Sequence, residues 1–451
     1  MLVSDSLLVS WTQPTQSTRK ALKEMVAEKF KEEKQKAKRE VEKATAVSLT
    51  SDMWTSIHMD AYLAVTCHFV NEQDTLSTVL LGVGHFSKAH TAENIAEVKK
   101  VLMEEWGIQN KVRCLVTDAA PNMISSSKIL KVRHTKCIAH TLNLIVRKSI
   151  DNTPGLEEIR GKARKMVSYF RSSATAKEKL CQMQQQMGRS HLKLLQEVDT
   201  RWNSTYTMLQ RLYEEREPVS AALVSMRTDL APVTAEEYHS VKECLEVLSP
   251  FYTATTELSG EQRVSGSKVI PLVCMLRYAI AKKQPQVLDD KARQLCMNLT
   301  RMLGECSSHL ETMSVMTIAT LLDPRFKAVG FCSQTNAQAA VRRLTAECAT
   351  IIENEKDQIM PVPPIPSTSS QPEPATSSAT QSGGGLWDLL DSHMVERQVR
   401  NATADATVEV QRYMADPLIP RTEDPLHFWA TRKNVIVCRT QEYLHIYQLA
   451  V

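Results

Sequence analysis

The chain has 451 residues, with 55 Lys and Arg against 51 Asp and Glu and a formal net charge of +4. At roughly 100–200 residues per domain this is two to four domains, and 43% hydrophobic with 24% charged residues is ordinary globular composition. No apolar run approaches the ~18–20 residues that span a bilayer, and Met1-Leu-Val-Ser-Asp lacks a basic secretory n-region, which sets membrane and secreted readings aside.

Eleven cysteines without a C-x-x-C pair are expected to be reduced thiols packed as small hydrophobes, not a disulfide scaffold. The small net charge does not by itself announce nucleic acid, so that reading must rest on local patches.

Residues 1–16 show no pattern of regular structure. From Ser17-Thr18 a helical pattern begins, because a hydroxyl side chain caps free N–H groups at a helix start. Ala21, Met25, Val26 and Phe30 share one face, and Lys29 to Lys43 is rich in Lys and Glu. Residues 1–44 thus read as a helical lead-in with excess positive charge and a solvated face. Three β-branched runs follow, Thr45–Ser51, Ala61–Val70 and Ser77–Phe86, with a turn at Asn71-Glu-Gln-Asp, and they form an antiparallel meander. A helix over Thr91–Trp106 leads to a fourth strand, Val112–Thr117, that ends at Asp118-Ala-Ala-Pro-Asn. A short helix, a fifth strand near Thr135-Lys-Cys-Ile-Ala and a helix from Thr141 complete the pattern. Strands that then alternate with helices predict an α/β unit with a mixed five-stranded sheet over residues 45–153.

From Pro154 to about residue 360 only helical spacing remains, which predicts an all-α block. Residues 361–385 are dominated by Pro, Ser, Thr and Gly and read as a disordered linker. A last segment, 386–451, opens on Leu386-Trp-Asp-Leu-Leu with a helix to Met414.

Asp52 and Asp118 are placed at the carboxyl ends of the first and fourth strands, where ligands gather in open α/β sheets. If those strands are neighbours, the two carboxylates meet. Hard divalent cations take oxygen ligands, and two such ions can clamp an in-line phosphoryl transfer. Either aspartate alone reads as well as a turn residue or a helix cap.

Ser48-Leu-Thr-Ser-Asp-Met-Trp-Thr-Ser resembles the first-aspartate block of hAT-superfamily DNA transposases and of the BED-type zinc finger proteins domesticated from them. Four further blocks resemble the same family in order: Val116-Thr-Asp-Ala-Ala-Pro-Asn-Met, Cys137-Ile-Ala-His-Thr-Leu-Asn-Leu, Asp199-Thr-Arg-Trp-Asn-Ser-Thr and Leu321-Leu-Asp-Pro-Arg-Phe-Lys. A sixth, Asp424-Pro-Leu-His-Phe-Trp, is similar to the opening of the family's C-terminal dimerisation segment. The resemblance, over about residues 17–434, implies an RNase H-like core interrupted by a large helical insertion. It puts Asp52 and Asp118 at the first two metal-binding carboxylates, Trp54 at the tryptophan of the first block, Cys137 and His140 at its C-x-x-H, and Arg201 and Trp202 at its R-W.

The family's third acid, a glutamate in a Ser-Glu-Arg-x-Phe-Ser-like stretch, has no match here, and the surroundings of Glu442 do not resemble it. No BED finger precedes Ser17. The expectation is a nuclear, transposase-derived protein that binds DNA and self-associates, as a homodimer or with a family relative, without cutting DNA. Mg²⁺ or Mn²⁺ at Asp52 and Asp118 belongs to the alternative, an active transposase. A protein-interaction scaffold without DNA contact is the remaining reading, separated from the first by salt dependence.

Cys137, His140 and the upstream His134 have no second ligand pair, so no structural zinc is expected. Arg201-Trp202 reads as a base-stacking pair or as a buried helix start. The basic run Arg160, Lys162, Arg164 and Lys165 reads as a phosphate-tracking surface or as a solvated helix face. Leu426, Phe428 and Trp429 are the dimerisation candidates, expected as an exposed and adhesive apolar cluster.

Overall fold

The computed structural model describes residues 19–226, 228–260, 265–307, 309–358 and 402–432, and the chain divides after Cys137 into two compact units. Residues 1–16, the 361–385 stretch, the expected helix start at Leu386 and Glu442 lie outside the described residues.

In the first unit α1 (Arg19–Lys43) precedes β1 (Val47–Thr55), β2 (Ala61–Val70) and β3 (Leu76–His85). Then come α2 (Ala92–Glu105), β4 (Val112–Thr117), α3 (Pro121–Ile129) and β5 (His134–Lys136). The sheet order is β3-β2-β1-β4-β5, with the first three strands antiparallel and β4 and β5 parallel to β1. The turn at Asn71 forms because its side-chain oxygen accepts the N–H groups of Gln73 and Thr75, each at 3.0 Å.

Alternate residues of the strands point to one face, and there Val47 and Leu49 of β1, Val65, Cys67 and Phe69 of β2 and Leu115 of β4 pack into one cluster. Met103 and Trp106, at the end of α2, close it, and the Trp106 indole donates to the Leu81 carbonyl at 3.0 Å. Each such side chain contributes about 1.5–3 kcal/mol on burial. Burial pushes the Cys67 and Cys114 thiols up to about 12, which leaves them inert packing groups.

On the opposite face a polar ladder crosses three strands. The His68 ring sets Nε2 3.0 Å from Thr50 Oγ1 and Nδ1 3.1 Å from Thr78 Oγ1, and the residue is 4% exposed. Burial lowers its pKa from 6.5 to about 4, so the native ring is neutral. The unfolded chain therefore binds the extra proton first as pH falls. The stability this provides is complete above pH 6.5 and is lost as pH drops towards 4, a span on the order of 3 kcal/mol. A His68→Gln variant is expected to flatten the stability profile of this unit between pH 6.5 and 4 in urea titrations. A profile as steep as the parent's would refute the assignment.

Two boundaries differ from expectation. β1 runs on to Thr55, because its antiparallel pairing with β2 continues to Thr55↔Ala61 after its pairing with β4 stops at Ser51↔Thr117. Asp52 therefore marks the end of the parallel pairing rather than of the strand. β5 is only three residues long, and α4 begins at Ile138, just after the Cys137 N–H donates to the Thr117 carbonyl at 2.8 Å.

The described elements of the second unit are helical. They are α4 (Ile138–Asp151), α5 (Leu156–Ser172), α6 (Ala174–Gln186), α7 (Trp202–Glu214), α8 (Arg216–Met226) and α9 (Ala235–Leu258), followed by α10 (Val269–Lys283), α11 (Asp290–Ser307), α12 (Ser314–Leu322), α13 (Gln334–Gln358), α14 (Ala402–Ala415) and α15 (Pro425–Ala430). Helix starts follow their caps: Thr234 and Glu237 form a reciprocal capping box at α9. One continuous apolar cluster runs from Ile138 to Met316.

The expectation of reduced thiols throughout is corrected at one pair, since Cys274 of α10 is disulfide-bonded to Cys332 ahead of α13. A separation of 58 residues gives no sequence sign of that proximity. The expected exposed cluster is corrected too. Leu426, Phe428 and Trp429 are 3%, 9% and 2% exposed, because α15 packs inward beside Tyr413 of α14 and the Trp429 indole donates to the Leu322 carbonyl at 2.9 Å.

Candidate functional site

β1 and β4 are parallel neighbours with Ser51 opposite Thr117, so Asp52 and Asp118 occupy the next position on each chain. The condition on which the carboxylate pair depended is met. The Asp118 carboxylate accepts the Ala120 N–H at 3.1 Å, directly before Pro121 opens α3. That bond holds the carboxylate at the strand end.

The site contains groups that linear reading did not assign to it. Lys99 of α2 is 1% exposed, with Nζ 3.2 Å from Ser126 Oγ and 3.9 Å from Met123 Sδ. Burial lowers its pKa to about 8, opposed by the Asp118 charge, so an ammonium sits in the protein interior near Asp118. The Thr117 hydroxyl donates to the Asp118 carbonyl at 2.8 Å and lies 2.9 Å from His134 Nε2. One hydroxyl has one proton, so the Nε2–H of His134 is the donor to Thr117. Burial, then Lys99 and Lys136, lower the His134 pKa, and Asp118 works against them.

Lys136 pairs in register with Thr117, which puts a basic residue at the end of the neighbouring strand. Lys128, Lys131, Arg133 and Lys136 are all exposed, Lys136 at the carboxyl end of β5 and the other three ahead of its amino end. No periodicity announces it, because the register that aligns β5 with β4 is a long-range fact. The one available sign was the excess of Lys and Arg between Lys128 and Lys136.

Among the described residues, the group of three His, Cys, Asp or Glu side chains that lie close together is Cys274, Glu311 and Cys332, and with both sulfurs joined in the disulfide it is not a thiolate metal site. Asp52 and Asp118 have the hard-oxygen chemistry that Mg²⁺ selects, but two carboxylates do not define its octahedral shell. The donor set among the described residues is therefore incomplete.

Other anticipated residues fall elsewhere. Trp54 is 42% exposed and stacks on Tyr62 at 5.7 Å between ring centres. Cys137 and His140, both half-buried, flank the start of α4. Arg201 is exposed at the N-cap of α7, whereas Trp202 is 1% exposed and cannot stack on a base. Asn143, which sequence reading passed over, fixes that helix start: its side chain accepts the Trp202 N–H at 3.0 Å and donates to the Thr200 carbonyl at 3.1 Å.

The phosphate-tracking surface on α5 is corrected. Arg160 binds the buried Glu197 at 2.9 Å and Glu157 at 3.1 Å, Arg164 also pairs with Glu197, and Lys162 binds Glu237 at 2.6 Å. Only Lys165 of the four is exposed. Glu197 and Glu237 approach from distant sequence, so the charges are spent inside the unit.

The fold and this strand-end pair define an RNase-like α/β core joined to a helical domain. The ZBED1 RNase-like domain matches residues 50–141, and the ZBED1 RNase-like helical domain matches residues 135–247. The two matches overlap where the compact units divide, after Cys137. Zinc finger BED domain-containing protein 4 of Homo sapiens is 25% identical over 404 residues, 86% of this chain and 32% of that protein. "Putative AC transposase" of Zea mays is 26% identical over 319 residues, 62% of this chain and 36% of that protein. Zinc finger BED domain-containing protein RICESLEEPER 2 of Oryza sativa subsp. japonica is 22% identical over 421 residues, 85% and 56% respectively. The chain is similar to transposases and to BED-type zinc finger proteins, and spans about a third of the first two of these proteins and just over half of the third.

Proposed function

We propose that this chain is a transposase-derived nuclear protein that engages the DNA backbone and self-associates, acting by binding rather than by strand cleavage, in the control of transcription. What supports the reading is the exposed basic run that leads into and along the edge strand β5, Lys128, Lys131, Arg133 and Lys136, of which Lys136 stands at the carboxyl end next to the position of Asp118. The charged group set against Asp118 is the buried Lys99 ammonium. Such a cation offsets the carboxylate charge that would otherwise recruit a divalent ion.

Phosphate contacts release counterions, so binding falls steeply with salt. An Arg133→Gln, Lys136→Gln variant is expected to bind duplex DNA more weakly whatever its sequence, and to lower the log–log salt slope by about two. Fluorescence anisotropy across a salt series measures both. An unchanged slope removes the basic edge from the interface.

The second reading, metal-dependent cleavage, is favoured by the adjacency of Asp52 and Asp118. Supercoiled plasmid incubated with the protein and Mn²⁺ is expected to be bound and not nicked. Nicking that disappears in an Asp52→Asn variant would establish the second reading in place of the first. Self-association is expected as a dimer in sedimentation, through surfaces other than the buried side chains of Leu426, Phe428 and Trp429.

A further inference from the structure

A cavity of about 350 Å³ lies between α5, α6 and the chain that returns after Gly188. Gly188 takes φ +68, which reverses the backbone at the end of α6 and brings residues 190–194 back along that helix. Two side chains pin the returning chain. Gln184, 2% exposed, donates to the Leu192 carbonyl at 2.9 Å, and Arg171 donates to the Leu194 carbonyl at 3.2 Å. His191 is thereby held against Cys181, with Nδ1 3.2 Å from Sγ.

The surroundings are those of a ligand site rather than of a packing thiol. Phe170, Leu180 and Leu194 supply an apolar floor, and Arg171, Lys177 and Lys193 line the cavity with positive charge. Cys181 is half-buried and reachable, unlike Cys67, Cys114 and Cys244, which are buried. The volume is in the range of small-molecule sites. A thiol beside an imidazole among cations is the arrangement that makes cysteine nucleophilic.

We propose that Cys181 is a site of reversible S-thiolation by small anionic disulfides of the peptide-thiol class. The Cys181 proton passes to His191 Nδ1, and the thiolate attacks one sulfur of the incoming disulfide. The disulfide bond breaks as the Cys181–sulfur bond forms, and the departing thiolate leaves with the proton from His191. Cys181 is oxidised, and half of the reagent is released as thiol. The three cations hold the carboxylates of the reagent, and the apolar floor receives its chain.

Oxidised glutathione is the probe and cystamine, a disulfide of opposite charge, the comparator, each rate being normalised to that of free cysteine with the same reagent. Peptide mapping of the full chain is expected to find Cys181 modified about tenfold faster by the anionic reagent after normalisation. A Lys177→Gln, Lys193→Gln variant should bring that ratio towards one, and His191→Gln should slow both reactions by about tenfold or more. Cys181→Ser should lose one adduct in the intact mass. These positions are half-buried or exposed, and circular dichroism verifies that each variant folds. Equal normalised rates for the two reagents, a rate indifferent to His191→Gln, or modification of Cys306 ahead of Cys181 would each overturn the proposal.

Discussion

Asp323→Ala is expected to destabilise the helical unit by about 3–5 kcal/mol, the cost of leaving a buried cation without its partner. Asp323 is 0% exposed, and its carboxylate accepts from Arg325 Nε at 2.9 Å and Nη2 at 2.6 Å, from the Arg325 N–H at 3.0 Å and from the Ser267 hydroxyl. The Arg325 side chain is 5% exposed, so alanine at 323 strands a guanidinium in the interior. Asp323→Ala, Arg325→Met removes both charges and should recover most of the loss, because a buried pair adds little over well-packed apolar groups.

The effect should reach α14 and α15. Lys327, two residues past Arg325, donates to the carbonyls of Tyr413 and, at 2.7 Å, Asp416, while Tyr413 OH donates to the Leu321 carbonyl at 3.0 Å. Urea titration gives the stability change, and hydrogen exchange should show early opening of residues 402–432. Loss of stability without that opening would separate the ion pair from the fastening of the C-terminal helices.

Trp202→Ala should cost about 3–5 kcal/mol, as for other fully buried aromatics. Its ring meets Tyr206 and Tyr252 edge-on, with centres 6.2 and 6.4 Å away, and those two stack at 4.7 Å. The indole N–H has no hydrogen-bond partner among the described residues, so Trp202→Phe gives up area without breaking a hydrogen bond and should cost much less. DNA binding by the phenylalanine variant should match the parent at temperatures where both are folded. Weakened binding with intact stability would instead return Trp202 to the interface.

Family motifs proved to be of two physical kinds. The Val116–Met123 block is a strand end and helix start that hold Asp118 at the carboxyl end of β4, where the buried Lys99 ammonium lies nearby. The Arg201-Trp202 and Leu321–Lys327 blocks are joints: Asn143 clamps the first, and the second anchors the C-terminal helices through contacts 89 and 107 residues apart in sequence. Linear sequence marks both as motifs and gives no sign of which is which. The same limit explains the basic run on α5. Its residues carry the charge the sequence indicates, but Glu197, from the segment between α6 and α7, and Glu237 of α9, which neutralise Arg160, Arg164 and Lys162, arrive only through tertiary packing.

By itself the sequence determined the strands of the first unit and the helices α1 and α2 to within a few residues, the change from mixed α/β to helical texture, and the pair of aspartates worth joining. These follow from local periodicity and turn chemistry, which act over a few residues. Only the tertiary structure decided that β1 adjoins β4 and so aligns Asp52 with Asp118, that Lys99 lies near Asp118 and Lys136 beside the end of β4, that Cys274 meets Cys332, and that Leu426, Phe428 and Trp429 turn inward. Each depends on strand register or helix packing between distant segments, where burial and charge pairing are properties of the assembled core and no single stretch of chain encodes them.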